Sequence, residues 1–264
     1  MRFWLALALG LLWASAATAA TDTRRLSGDE RATFEGLLCE HPSAQGKDLV
    51  CGAMKGYPGN PKGATLSLYA IAYGSFTAAG ADEAYLSYGS SVEPHANNFG
   101  GGVLLAREGG AWRVVHWYPG GQMDNCLALP AAGKTRMLCL SGWTGQGELD
   151  SSLWVKEAPF AQDRAVLKAQ DQRGVAADHG IAPDICGEDQ PAPLLLSIDA
   201  LKRAEDSSAF AVASIRYATA KDVREACTRT GFARLRVTKG EVKIVVDKGR
   251  VKAIAPLRFA PTDY

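Results

Sequence analysis

Imidazole is the side chain that exchanges protons near neutral pH, so the four histidines are the first residues to weigh for chemistry. His95 lies in Glu93-Pro94-His95-Ala96-Asn97-Asn98, polar loop text that leaves its ring exposed and makes it the functional candidate. His116 falls on the Trp112 and Val114 face of an alternating run, where a packed, satisfied ring is the plain expectation. His41 and His179 stand beside Glu40 and Asp178 and belong to no motif. A nucleophilic serine would need a strand-to-helix elbow flanked by glycines; Leu140-Ser141-Gly142 lacks both the preceding glycine and a following helix. The carboxylate pairs Asp82-Glu83 and Glu188-Asp189 are adjacent, and neighbours in an extended chain point to opposite sides, so neither pair can flank one glycosidic bond. Zinc-binding histidine pairs, phosphate-cradling loops and dinucleotide fingerprints are missing, so neither a cofactor nor a metal is expected. Whether the chain is an enzyme stays open, with the missing motifs pointing away from catalysis.

Recognition has more to work with. Trp117-Tyr118-Pro119-Gly120-Gly121-Gln122 and Trp143-Thr144-Gly145-Gln146-Gly147 place large amphipathic rings in glycine-rich text beside a cysteine pair. Such rings offer a flat apolar face and a polar handle. Trp117, Tyr118, Trp143, His95 and Gln146 are therefore the candidate binding residues. The competing reading is that these rings cap the ends of a β core.

The six cysteines, Cys39, Cys51, Cys126, Cys139, Cys186 and Cys227, read as disulfides once the first residues are considered. Arg2 precedes an apolar run from Phe3 to Trp13, and Ala17-Thr18-Ala19 has the small-x-small form that signal peptidase cleaves. Residues 1–19 are read as a cleaved leader, which puts the mature chain in the periplasm or outside the cell. Six cysteines admit fifteen pairings. Sequential pairing (Cys39 with Cys51, Cys126 with Cys139, Cys186 with Cys227) is the expectation. A net charge of +1 with dispersed basic residues shows no footprint for nucleic acid, and no later segment is long and apolar enough to span a bilayer. The partner is an unknown macromolecule or small ligand, and the oligomeric state is open.

The elements that would position these residues are strands. Ser27-Gly28-Asp29-Glu30 has the capping-box form, and Phe34, Leu37 and Leu38 follow at helical spacing, so one short helix precedes Cys39. Beyond Gly63, short β-branched and aromatic runs recur between turn residues. Leu66, Leu68 and Ala70 alternate against Ser67, Tyr69 and Ile71, and Glu108-Gly109-Gly110 joins two runs as a hairpin. Runs at 136–141 and 151–156 are joined by the glycine-rich 142–147, and further strands are expected at 194–201 and 210–217. The last stretch reads as three strands joined at Lys239-Gly240 and Lys248-Gly249. The fold class is all-β, mainly antiparallel meanders of a propeller-like or related repeat architecture, disulfide-bonded, with one N-terminal helix. The expected division is 20–160 as helix plus β region, 161–190 as a connector with a weak helical stretch at Val166 and Leu167, and 191–264 as a meander that shares or does not share the first core.

Gly74-Ser75-Phe76-Thr77-Ala78-Ala79-Gly80-Ala81-Asp82-Glu83-Ala84-Tyr85-Leu86 resembles the strand-turn-strand unit of integrin-alpha-type (FG-GAP) propeller repeats, and Gly100 to Trp112 is similar to how such blades continue. The resemblance implies a scaffolding or recognition role. Its calcium chemistry does not transfer, because Ser75, Thr77 and Ala79 stand where that family has aspartate or asparagine ligands. The leading expectation is an exported noncatalytic β module that binds a ligand or serves the envelope; the alternatives are a secreted hydrolase assembled from distant residues and an inhibitor of a secreted enzyme.

Overall fold

The computed structural model describes residues 19–45, 48–130, 133–145, 148–158, 160, 164–169, 192–229 and 235–259. Residues 1–18 of the leader text, and residues 170–191 with Cys186 and His179, which take in most of the expected connector 161–190, lie outside them.

Helix α1 (Gly28–Leu38) starts at the expected capping box: Glu30 N donates to Ser27 Oγ and Ser27 N to Glu30 Oε2. Phe34 and Leu38, one turn apart, are buried. Short strands follow, β1 (Cys39–Glu40), β2 (Ser43–Gln45), β3 (Asp48–Val50) and β4 (Ala53–Met54), with β1 paired to β4 and stapled by Cys39–Cys51. Then come the long strands β5 (Thr65–Gly74), β6 (Glu83–Ser90), β7 (Gly100–Glu108) and β8 (Ala111–Pro119), which with β2 and β3 form a six-stranded antiparallel sheet in the order 2-3-5-6-7-8. A middle sheet is made by β9 (Cys126–Ala128), β10 (Arg136–Gly145), β11 (Glu148–Glu157) and β12 (Arg164–Lys168) in the order 12-11-10-9. A last sheet holds β13 (Leu194–Arg203), β14 (Ala211–Ala218), β15 (Thr238–Asp247) and β16 (Arg250–Ile254) in chain order, with helix α2 (Ala220–Arg229) between β14 and β15.

Alternation along each strand gives every sheet two faces, and the cores show how the faces are covered. Phe34 and Leu38 of α1 pack on Leu66, Leu86, Val103 and Leu105 of the first sheet. The opposite face of that sheet, through Ala72, Tyr85 and Leu104, meets Cys126, Ala128, Met137 and Cys139 of the middle sheet. The middle sheet turns Leu127, Leu138, Leu153 and Val155 the other way, onto Ile198, Ile215, Val242 and Ile244 of the last sheet, so the two β regions share one core there. Leu194, Leu196 and Ala218 are then covered by Val223 and Ala226 of α2. The result is a stack of helix, three sheets and helix. Near the N-terminus, residues 21–24 lace the layers together: Thr21 N donates to Tyr73 O, Thr23 N to Cys126 O, and Arg203 of the last sheet pairs with Asp22.

The chain is thus mainly antiparallel β and disulfide-bonded, as its patterning implies, and two of the expected bridges are present: Cys39–Cys51 and Cys126–Cys139, with Cα atoms 5.1 and 4.0 Å apart. Cys227 is also disulfide-bonded, and its expected partner Cys186 lies outside the described residues.

Four expectations need correction. A second helix exists, α2, begun by a Thr219–Asp222 capping box in which Asp222 N donates to Thr219 Oγ1 and Thr219 N to Asp222 Oδ2. Val166 and Leu167 lie in strand β12 on the edge of β11, where ladder pairing overrides a weak helical period. Lys239-Gly240 is no turn: both residues lie inside β15, opposite Arg216 and Ile215, and the absent Gly240 side chain leaves room for the Tyr217 ring. Finally, β10 runs on through Gly142 to Gly145 in a long hairpin with β11, so most of the glycine-rich text there is strand.

Candidate functional site

Two register shifts in the first sheet decide which side chains reach its inner face. Between β5 and β6 the extra residue Tyr69 moves Ile71 onto the Leu66 and Leu68 face, against the alternation read from the sequence. Between β7 and β8, Leu104 pairs with His116 and Leu105 with Val114, so Val115 is the extra residue. Trp112 and Val114 stay on the α1 side, and the bulge returns Trp117 to that side while turning His116 and Tyr118 to the other. The expected packing of His116 with Trp112 and Val114 is therefore wrong: its ring is exposed and stands 4.5 Å from that of Tyr118.

On this inner face two adjoining clefts open between the first and middle sheets. One, of about 230 Å³, is lined by Tyr85, His116, Tyr118, Lys156 and Phe160 with the Trp117–Gly121 backbone turn. The other, of about 260 Å³, is lined by Asn97, Asn98, Gln122, Asp124, Ser141 and Lys156. They share Gly120 and Lys156, and together they reach the ~300–1,000 Å³ of small-ligand sites.

Each lining group is held from behind. Tyr118 stacks on Tyr85 (6.0 Å, 23° between planes) and meets Phe160 edge-on at 5.1 Å. Tyr85 in turn donates to Gly121 O at 2.6 Å and lies across Gly102, where any Cβ would collide with its ring. Enclosure, with the nearby Glu83 carboxylate, pushes the Tyr118 phenol above its ordinary value, so it meets a ligand as a neutral hydroxyl. The loop bearing Asn97 and Asn98 is anchored on the buried Glu93, whose carboxylate accepts from Tyr57 OH at 2.9 Å, from Tyr88 OH, and from Asn97 Nδ2 at 3.0 Å. Asn98 and Phe99 both sit at positive φ, 51° and 54°, a costly conformation for side-chain-bearing residues. Asp124 has its carboxyl raised by enclosure, against a hydrogen bond with Ser87 that lowers it.

The sequence candidates divide. Tyr118 lines the first cleft. Trp117 gives it only the edge of its turn, because the indole is buried in the α1 core, donates to Lys55 O and packs edge-on against Tyr57 and Tyr88. His95 opens the short helical turn His95–Asn97 at the rim of the second cleft, its ring 5.1 Å from the exposed Phe99. Trp143 is in β10 opposite Asp150, its side chain outside what the structure describes, and Gln146 lies outside the described residues altogether. Sequence reasoning missed Lys156, Phe160, Asn97, Asn98, Gln122 and Asp124. Of these, the Asn97-Asn98 pair beside His95 and Gln122 after the double glycine carried a signal, being amides in turn text next to aromatic residues.

The Gly74–Leu86 segment closes on its own donors. Thr77 donates to Glu83 through both its amide (2.8 Å) and its hydroxyl, and Ser75 Oγ donates to Ala81 O at 2.8 Å. Among the described residues no three His, Cys, Asp or Glu gather closely enough to hold a metal ion, and no helix is long and apolar enough to cross a membrane. No known family, curated protein or solved structure matches the chain, so the site speaks through its own geometry.

Proposed function

We propose that this protein is an exported, noncatalytic binding module whose ligand occupies the double cleft between the first and middle sheets. The observation that carries the reading is the bulge at Val115, which takes His116 and Tyr118 out of the helix-covered core and aims them into an open cleft. Bulges of this kind re-aim side chains beside functional sites. Binding without turnover is supported by Ser87, the hydroxyl bonded to the cleft carboxylate. It is fully buried, accepts from Met123 N at 2.7 Å and is engaged with Asp124, which leaves it no route to attack a substrate. Export is supported by the leader text of residues 1–19 and by disulfides that a reducing cytosol would not maintain.

The test expresses the full chain in a bacterial host and recovers it from beyond the inner membrane. N-terminal sequencing should begin at Ala20, and thiol titration should find no free sulfhydryl. Extracts of the surrounding medium and envelope should raise the melting temperature of the wild type and leave Tyr118→Ala unchanged, with the bound compound recovered chemically intact. A retained leader, or a ligand returned hydrolysed, sinks the reading.

A further inference from the structure

We infer that the ligand is a neutral saccharide of at least two rings, one seated in each half of the cleft; this rests on the binding reading above. The two halves differ in chemistry while sharing one wall. In the first, the Tyr118 ring is held among three others, Tyr85 stacked at 6.0 Å, Phe160 perpendicular at 5.1 Å and His116 at 4.5 Å, which gathers a rigid aromatic wall in this half of the cleft. In the second, Asn97, Asn98 and Gln122 bring planar amides, each with a donor and an acceptor, beside the acceptor Asp124. Neighbouring hydroxyls on a sugar ring are matched by such paired donor and acceptor groups, and the axial C–H face of the same ring is matched by an aromatic plane. A flat apolar metabolite would leave the amides unsatisfied, which costs more than the contact returns. A strongly charged ligand is disfavoured because the polar wall carries one carboxylate, Asp124, and one ammonium, Lys156. The cleft also has the anatomy of a preformed site: Glu93 pins the Asn97 side chain from below, and the bonded Tyr85 holds the Gly120–Gly121 turn that both halves touch. Little remains to be ordered on binding, which favours a weakly hydrophobic ligand such as a sugar.

The test is calorimetric titration of the mature, disulfide-intact protein with cellotriose, chitotriose, maltotriose and xylotriose, beside a parallel panel of nucleosides, aromatic amino acids and short peptides. At least one trisaccharide should bind, with its monosaccharide weaker. Tyr118→Ala and Asp124→Asn should each weaken binding roughly tenfold, the scale of one lost stacking or charge-assisted contact. Tyr118→Phe, which keeps the ring, should stay within about threefold of wild type, and its melting curve controls for folding. If no trisaccharide binds but a member of the second panel does, and Tyr118→Ala removes it, the saccharide inference falls while the cleft remains the site. If trisaccharide binding is indifferent to both cleft variants, the sugar sits elsewhere and the reading of the cleft falls with it.

Discussion

The first and last sheets are both antiparallel meanders, yet they are built to different rules. The last sheet confines its irregularity to the edge strand β13, where Leu196 and Asp199 are extra residues; its β14 and β15 keep their register, with Ile215, Val242 and Ile244 facing the middle sheet and polar residues such as Lys243 and Arg216 turned outward. The first sheet combines its register shifts with glycines. Two extra residues, Tyr69 and Val115, shift its register, and glycines at 89, 100 and 102 thin it so that Tyr69, Gln122 and Tyr85 lie flat against the backbone. Its residues at 83–90 are buried on both faces, including Glu83, Ser87 and Ser90. The Val115 shift, Gly100 and Gly102 lie behind cleft residues, seating His116, Gln122 and Tyr85. Register shifts occur in both sheets and do not mark a site by themselves; what sets the first sheet apart is the glycines that let rings and an amide lie on its backbone beside its shifted strands.

The largest contrast should come from glycine. A methyl group at Gly102 would overlap the Tyr85 ring, which is itself buried and tied to Gly121, so Gly102→Ala forces a rigid element to move. At Gly240 in the last sheet the added Cβ stands 2.8 Å from the edge of the Tyr217 ring, which is half-buried and can swing outward. Gly102→Ala is expected to cost about 3 kcal/mol, lowering the melting temperature by roughly 6–12 °C, and Gly240→Ala about 1 kcal/mol. Equal shifts in thermal melts would mean the first sheet is no more constrained than the last.

A smaller effect separates the sheets by pH. Tyr57 and Tyr88 donate to the buried Glu93 carboxylate; desolvation, reinforced by that carboxylate, pushes Tyr57 up to about 12 and Tyr88 higher still. A phenol whose value is raised by folding favours the native state fully below its unfolded value near 10, and that contribution is lost as the pH rises toward 12. Alkaline conditions should therefore weaken the protein by ionising these tyrosines in the unfolded chain first. Urea titrations at successive pH values above 9 should show stability falling steeply in the wild type and less steeply in Tyr57→Phe. Parallel curves would show that this anchor does not govern the alkaline limit.

The same contrast explains what could be read from the sequence. Regular features were legible: the Ser27 capping box, the glycine hairpin after Glu108, the strands at Leu194 and Ala211, and two disulfides closing short loops. The site was half legible. Tyr118 stood out as an aromatic beside two glycines, but the bulge that aims it did not, because Val115 is β-branched and reads as one more strand residue. Lys156 reads as a solvent-facing strand residue because lysine is almost never buried, whereas here it forms the wall between two clefts and is 9 % exposed. Phe160 lies beyond the end of β11 and reaches Tyr85 and Tyr118 only because the sheets stack. Contacts between layers leave no mark on the spacing within any one strand. The short helix α2 could have been found, since Thr219-Ala220-Lys221-Asp222 repeats the signal that gave α1.

The smallest expected effect bears on strain. Lys248 and Gly249 form the two-residue turn joining β15 to β16, at φ 45° and 75°, a turn that suits glycine or asparagine at both positions. Lys248 makes no cleft and holds no core, so the left-handed backbone there is a plain cost. Lys248→Gly removes that cost against glycine's greater loss of chain freedom and should raise stability by about 0.5 kcal/mol, a gain of roughly 1–2 °C in a melt. Phe99→Gly relieves a residue of similar φ and should give a similar small gain, since Ser90 N can still donate to its carbonyl. The two substitutions should part in binding. The Lys248 variant should keep the affinity of the wild type for whichever trisaccharide the calorimetry finds. The Phe99 variant should lose several-fold, because an exposed ring beside His95 and the strained turn that carries Asn98 belong to the rim of the second cleft. If affinity survives in both, the strain at Asn98 and Phe99 is a requirement of the loop's closure on Glu93 and not of recognition.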